Sequence, residues 1–328
     1  MSLLRRLGRI SFACAAFGLA MLAGCATGGR FLAAEPDGQV AGGTAVQVAD
    51  GVYMVRGTGG EVDSSNLGRI GNAGFIVGDR GVIVIDVGTS HRHGGELLGA
   101  IRRVTEKPVV LALVTHVRQE YLFGAAAFRD RGIPIRMQRS AADLMAARCA
   151  NCLKTLRRLL GEDEMRDTVM FKPDQVFDDS HTLDVAGRPV RVLYFGHSSG
   201  PGDIAVLDER TGVLFAGGLM DHQRIPDVQD SQLPGWRNAL AAMDALRVST
   251  VVPGHGRATS SGLITTTRRY LDALEARVRQ LVMDGAALSE VPDASSLDEF
   301  KEWDQYDTIH RRNASVLFVR VEREVNFK

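Results

Sequence analysis

Val114-Thr115-His116-Val117-Arg118-Gln119-Glu120-Tyr121 is the stretch on which the fold turns. It follows an apolar, β-branched run at 109–114 that predicts a strand. His116, Arg118 and Glu120 therefore fall on the loop at that strand's C-terminal end. Three further segments have the same form: Phe195-Gly196-His197-Ser198-Ser199, Phe215-Ala216-Gly217-Gly218-Leu219-Met220-Asp221-His222 and Val252-Pro253-Gly254-His255-Gly256. In three of the four a histidine stands at or just beyond the strand end, beside Gly or Thr. A neutral imidazole given room by glycine serves as a metal ligand or a proton-transfer group.

Outward from this loop, short apolar runs at 52–55, 74–77 and 82–85, separated by Gly-containing turns, predict three strands. Helical periodicity follows at 95–104, 121–129 and, with many Ala, Leu and Arg, at 140–160. A second strand-rich group lies at 182–184, 190–195, 204–207 and 213–215; after it come a helix at 236–246, a strand at 250–252 and a long helix at 263–283. Two strand-rich halves, each closed by helices, predict two sheets packed face to face with helices outside. Residues 47–328 read as one domain with a helical tail at 285–328. Within that tail, 295–328 reads as an acidic helix followed by one at 313–325.

With Ile85-Asp86-Val87-Gly88 upstream, the four segments resemble the metallo-β-lactamase fold superfamily in order and spacing. The family pattern is Thr-His-x-His-x-Asp-His, then Gly-His-Thr/Ser, then Ala-Gly-Asp, then Pro-Gly-His-Gly. The resemblance covers roughly residues 47 to 285 and implies a four-layer αββα sandwich. The tail and the Leu207-Asp208-Glu209-Arg210-Thr211-Gly212 turn look closest to the periplasmic quinoprotein relay system zinc metallohydrolases.

The departures from the pattern set the expectations for the site. His116, His197 and His255 keep the family's ligand type. Arg118 stands where the second His is expected, Glu120 where the Asp is, Tyr121 where the third His is, and Gly218 where the bridging Asp is. A guanidinium carries a permanent positive charge and donates no lone pair. The resemblance thus argues against a dinuclear centre and for at most one zinc or iron, held by His116, Glu120, His197 and His255. In the family, the positions of His116 and His197 serve one metal and those of Glu120 and His255 the other. Asp221 and His222, just past Gly218, are the available replacements. With one metal, the expected chemistry is hydrolysis of an ester, lactone, thioester or amide by metal-activated water. Glu120 would then be ligand or general base, and Arg118 would bind a carboxylate or oxyanion. Without a metal, Arg118 and Glu120 pair with each other, and the protein is a binding or accessory homologue or a metal-free enzyme of another kind. Asp86 is expected to orient a neighbouring histidine, and Tyr121 to lie at the rim.

Cys149-Ala150-Asn151-Cys152 predicts a local disulfide in an oxidising compartment. A thioredoxin-like reading lacks its strand–helix context here, and a zinc reading lacks two further ligands. His91 and His93 read as helix-start residues, His181 and His310 as surface residues, and Phe300, Trp303 and Tyr306 as packing residues of the tail.

The N-terminus reads as an address. Arg5, Arg6 and Arg9 precede an apolar run at 10–23, too short and too rich in Ala and Gly for a membrane span. Leu22-Ala23-Gly24-Cys25 resembles the lipobox of bacterial lipoproteins, which implies a signal peptide over 1–24 and a lipid on Cys25. Ala26 after it resembles the outer-membrane sorting pattern, so the expected location is the periplasmic side of the outer membrane. Residues 25–46, rich in Gly, Ala and Thr, read as a tether. Within the 328 residues, 39 Lys plus Arg balance 39 Asp plus Glu, which supports no nucleic-acid partner. A small molecule and, through the lipid, a membrane are the expected partners.

Overall fold

The computed structural model describes residues 43–326. The signal segment, Cys25 and most of the tether lie outside the described residues. Twelve strands form two sheets. One, in spatial order, contains β1 (Ala45–Ala49), β2 (Val52–Val55), β3 (Ala73–Val77), β4 (Val82–Ile85), β5 (Val109–Leu113), β6 (Ile135–Gln138) and β7 (Gln175–Phe177). The other runs β12 (Thr250–Pro253), β11 (Val213–Gly217), β10 (Ile204–Asp208), β9 (Val190–Tyr194), β8 (His181–Leu183). Pairing is antiparallel from β1 to β4 and parallel from β4 to β7; in the second sheet only β11–β12 is parallel.

The alternation of strand side chains decides the layers. Ile76, Ile83, Ile85, Leu111 and Leu113 of one sheet meet Val190, Val192, Ile204, Val206, Phe215 and Val252 of the other in a dry core. The opposite face of the first sheet packs on α1 (His91–Val104), α3 (Ala125–Arg129) and α4 (Arg139–Glu164) through Leu97, Phe128, Met145 and Leu156. The opposite face of the second packs on α5 (Leu233–Asp244), α6 (Gly262–Met283) and α8 (Arg311–Asn326) through Trp236, Leu274 and Phe318. The expected four-layer sandwich is therefore the observed one. Burying each such Val, Leu or Phe contributes about 1.5–3 kcal/mol.

Several elements differ from expectation. The helix expected at 121–129 is split into α2 (Gln119–Leu122) and α3, and at the break the Gly124 N–H donates to the Gly88 carbonyl (2.9 Å), while a Cβ on Gly124 would run into the Val87 carbonyl. Close packing there tolerates only glycine, and the chain bends at that point. Strands β1, β6 and β7 lack a strong sequence signal, and β1 begins inside the stretch read as tether. The acidic helix expected in the tail is replaced by α7 (Val291–Ala294), a 3-10 turn at Asp298–Phe300 and a π-helical turn at Tyr306–His310 leading into α8. His310 is buried, not at the surface: Nε2 is 3.0 Å from the Ser295 carbonyl and Nδ1 is 3.1 Å from the Tyr270 hydroxyl. Phe300 and Trp303 pack on that same Tyr270 ring.

Candidate functional site

The C-terminal ends of β5, β11 and β12 meet at one rim. Asn72 fastens it, donating its amide N–H to the Gly254 carbonyl (2.7 Å) and Nδ2 to the Pro253 carbonyl (2.9 Å). Ile204 N–H donates to the Thr115 carbonyl across the sheets (2.9 Å). Above the rim lies a cleft of about 390 Å³, lined by His116, Arg118, Glu120, Asp203, Asp221 and His255, with Leu144, Cys149 and Cys152 of α4 on one wall.

His116 is buried on the loop after β5. Its Nδ1 is 2.8 Å from Thr115 Oγ1, and that hydroxyl lies 2.8 and 3.0 Å from the two oxygens of Asp86. The hydroxyl donates to the carboxylate and accepts from Nδ1–H, leaving Nε2 as the lone-pair nitrogen. Asp86 occupies the left-handed region (φ 63°) at the end of β4 and reaches His116 through Thr115. Burial pushes Asp86 up to about 7 despite the Thr115 bonds, and burial pushes His116 down to about 3, so this imidazole is neutral.

His255 lies between two carboxylates. Asp221 Oδ1 accepts from both its backbone N–H and Nδ1 (2.8 Å each), and Nε2 is 3.3 Å from Glu120 Oε1. Burial disfavours the charged ring, but Asp221 and Glu120 outweigh it and raise the pKa. Burial opposes ionisation of Glu120 too, yet the His255 partner holds that carboxyl down at about 2. The three residues form a buried Asp–His–Glu chain.

Tyr121 is buried and packs against both imidazoles. Its ring centroid is 4.3 Å from that of His116 and 5.6 Å from that of His255, and its hydroxyl donates to the Gly254 carbonyl (2.5 Å). Gly71 makes this possible, because a Cβ there would strike the phenol ring. Tyr121 is thus at the centre of the site, not at the rim.

Arg118 does not pair with Glu120. Its Nη1 is 3.0 Å from Asp227 Oδ2, an oxygen it shares with Arg312 of α8 (2.5 Å). The two-residue spacing misleads because Arg118 is in extended conformation (φ −136°, ψ 143°) while Glu120 is already in the helical turn of α2. His197 is half-buried and its Nε2 lies 2.6 Å from the Asp230 carbonyl; it is not among the residues lining the cleft. Asp221 is committed to His255, and His222 packs beside Gly256, so neither takes a vacant ligand position. Asp203, at the entry to β10, was not singled out from sequence. Its Oδ2 accepts from Ser199 Oγ (2.6 Å), and burial raises it to about 6 against that bond. A Cβ on Gly218 would lie 3.0 Å from this oxygen and 2.7 Å from the His116 ring. The signal for Asp203 was a lone acid opening an otherwise apolar strand, Asp203-Ile204-Ala205-Val206-Leu207.

Cys149 and Cys152 are thiols, with sulfurs 3.1 Å apart, and do not form the expected disulfide. They sit one turn apart inside the long α4, within the helical stretch expected at 140–160. His91 opens α1 and lies 2.9 Å from Asp130; His93 Nδ1 accepts from Thr89 N–H (3.1 Å), so both are helix-start residues.

Two face-packed mixed sheets with helices outside, and histidine loops gathered at one rim, define a metallo-β-lactamase-type sandwich. A family model, the metallo-beta-lactamase superfamily, matches residues 67–255, and the chain belongs to that superfamily. Linear primary-alkylsulfatase of Pseudomonas sp. (strain ATCC 19151) is 22% identical over 219 residues, 57% of this chain and 41% of that protein. Metallo-beta-lactamase type 2 of Bacteroides fragilis is 30% identical over 105 residues, 30% of this chain and 42% of that protein. The chain thus spans less than half the length of these curated relatives. Among solved structures, a metallo-beta-lactamase from Pontibacter korlensis superposes with a TM-score of 0.57 at 20% identity, covering 70% of this chain and 98% of that one. FIM-1 from Pseudomonas aeruginosa, in its mono-zinc form, gives 0.55 at 18% identity, covering 70% and 94%. These likenesses establish the fold.

Members of this superfamily usually bind zinc. The donors of this chain do not fit such a centre. His255 uses both nitrogens on carboxylates, and His197 is turned to a backbone carbonyl. Among the described residues, no three His, Cys, Asp or Glu side chains gather as a metal group.

Proposed function

We propose that this chain is a metal-free, small-molecule-binding member of its superfamily, tethered by a lipid on Cys25 at the periplasmic side of the outer membrane. The observation that carries the reading is His255 closed onto carboxylates at both ring nitrogens, Asp221 at Nδ1 and Glu120 at Nε2. A cation entering there must break a charge-assisted pair. The cleft offers a ligand both charge and apolar surface, from Asp203 and Arg118 to Leu144 and Val62. An accessory role beside quinoprotein oxidation systems rests on the resemblance of the 207–212 turn and the tail.

A second reading, a hydrolase with one zinc or iron, is favoured by one feature. Asp86, through Thr115, and Asp221 each hold a histidine Nδ1, the support that ligating histidines receive. The alkylsulfatase and β-lactamase relatives make hydrolysis the reaction of that reading. Metal content by mass spectrometry, followed by calorimetric titration with zinc, separates the two. The binding reading expects neither bound metal nor zinc uptake at the cleft. About one equivalent of metal, lost in His116→Ala, overturns it in favour of the hydrolase.

A further inference from the structure

The long helix α4 carries two side chains that the cleft chemistry above does not use. Cys149 and Cys152 are three residues apart, on one face of the helix, and both line the cleft that contains Arg118 and Glu120. Their sulfurs are in contact at 3.1 Å. Residues three apart in a helix have Cα atoms about 5 Å apart, inside the range a disulfide spans. The two thiols differ in access: Cys149 is 1% exposed and packed into the core with Met145 and Leu156, whereas Cys152 is half-buried at the cleft wall.

We propose that Cys149 and Cys152 form a redox dithiol that exchanges with small disulfides entering through the cleft, Cys152 attacking and Cys149 resolving. The thiolate of Cys152 attacks one sulfur of a disulfide R–S–S–R, forming a mixed disulfide and expelling RS⁻. Cys149 then gives up its proton and attacks the Cys152 sulfur, closing the intramolecular bond and expelling the second RS⁻. The two thiolates take up the two protons: the small disulfide is reduced by two electrons and the protein dithiol is oxidised by two. The order of attack follows from access, since a small disulfide reaches Cys152 from the cleft and Cys149 only through it. The titration of the pair agrees in direction. The Cys149 contact draws Cys152 down to about 7, and the same contact together with burial raises Cys149. The inference does not depend on whether the cleft binds a metal or on which molecule occupies it.

The test uses the full chain, glutathione disulfide as the oxidant and peptide mapping by mass spectrometry. Circular dichroism before and after each step shows that the fold is intact. Folded protein is expected to lose the Cys149 and Cys152 thiols together, to carry a Cys149–Cys152 link with no glutathione retained on either residue, and to regain these two thiols in dithiothreitol without unfolding. Cys149→Ser is expected to accumulate one glutathione on Cys152. Cys152→Ser is expected to leave Cys149 unmodified until the chain is unfolded. Three results overturn the proposal: thiols that stay free in the folded chain, a mixed disulfide in the unaltered protein that never resolves, or a link that dithiothreitol cannot reopen in the folded state. The last would identify a static structural disulfide. These arms use the unaltered protein, so they decide the matter even if a serine variant fails to fold.

Discussion

At the scale of single residues, the site is organised by charge. Glu120, His255 and Asp221 are all buried, and the charged form of His255 is favoured because a carboxylate faces each ring nitrogen. Its folded pKa lies above the ordinary 6.5, so its contribution to stability is complete below that value and is lost as pH rises through the folded pKa. Glu120 is shifted the other way. Its contribution is complete above the ordinary 4.5 and is lost as pH falls towards about 2. The pair therefore stabilises the fold most between about pH 4.5 and 6.5. Glu120→Gln is expected to cost about 1–3 kcal/mol in that window, with Asp221 still in place, and progressively less on either side. Melting temperatures of both proteins across pH 2–9 check this; a cost independent of pH would show that His255 is neutral in the folded protein.

At the scale of elements, one side chain ties the two sheets together. Arg188, before β9, donates Nε and Nη2 to Asp208 of β10 (2.8 and 2.7 Å) and reaches the backbone carbonyls of Val77 and Asp50 beside the other sheet (3.2 and 2.9 Å). Asp208 is fully buried and also caps the β10–β11 turn through Thr211 N–H. Arg188→Met removes one partner and leaves a carboxylate uncompensated in the core. A loss of about 3–5 kcal/mol is expected by denaturant titration. The double variant Arg188→Met, Asp208→Leu should recover most of it, since burying neither charge costs less than burying one. The elements that sequence patterning missed share a cause. Strands β6 and β7 are short and contain Arg136 and Gln175, so they owe their strand state to pairing partners and not to an apolar run. At the split between α2 and α3 the Gly124 N–H goes to the Gly88 carbonyl, a partner no helical period encodes.

At the scale of the whole molecule, the N-terminal address and the folded body make separable predictions. Cys25→Ser is expected to move the protein from the membrane pellet to the soluble fraction without changing its melting temperature, and to abolish labelling by a palmitate analogue. Retention in the pellet would refute the lipid anchor. Within the body, the tail is part of the fold: Leu317, Phe318 and Val321 of α8 are buried with Leu274 and Val278 of α6, and Arg312 of the same helix reaches Asp227 at the cleft.

The sequence by itself determined the layers and the rim. Alternating apolar runs and their Gly-rich turns are local patterns, and they place His116, His197 and His255 after strands in a readable order. The resemblance of those loops to the superfamily pattern also set the expectation of which ligand types are replaced. Only the tertiary structure decided what the replacements do. It turned His197 to the Asp230 carbonyl, placed Tyr121 into the space left by Gly71, brought Asp203 over Gly218, and gave Arg118 to Asp227 instead of Glu120. Each of these outcomes is a choice among partners distant in the chain. Periodicity fixes which face a side chain leaves from, but its final partner depends on the volume and charge that other elements bring to the same place.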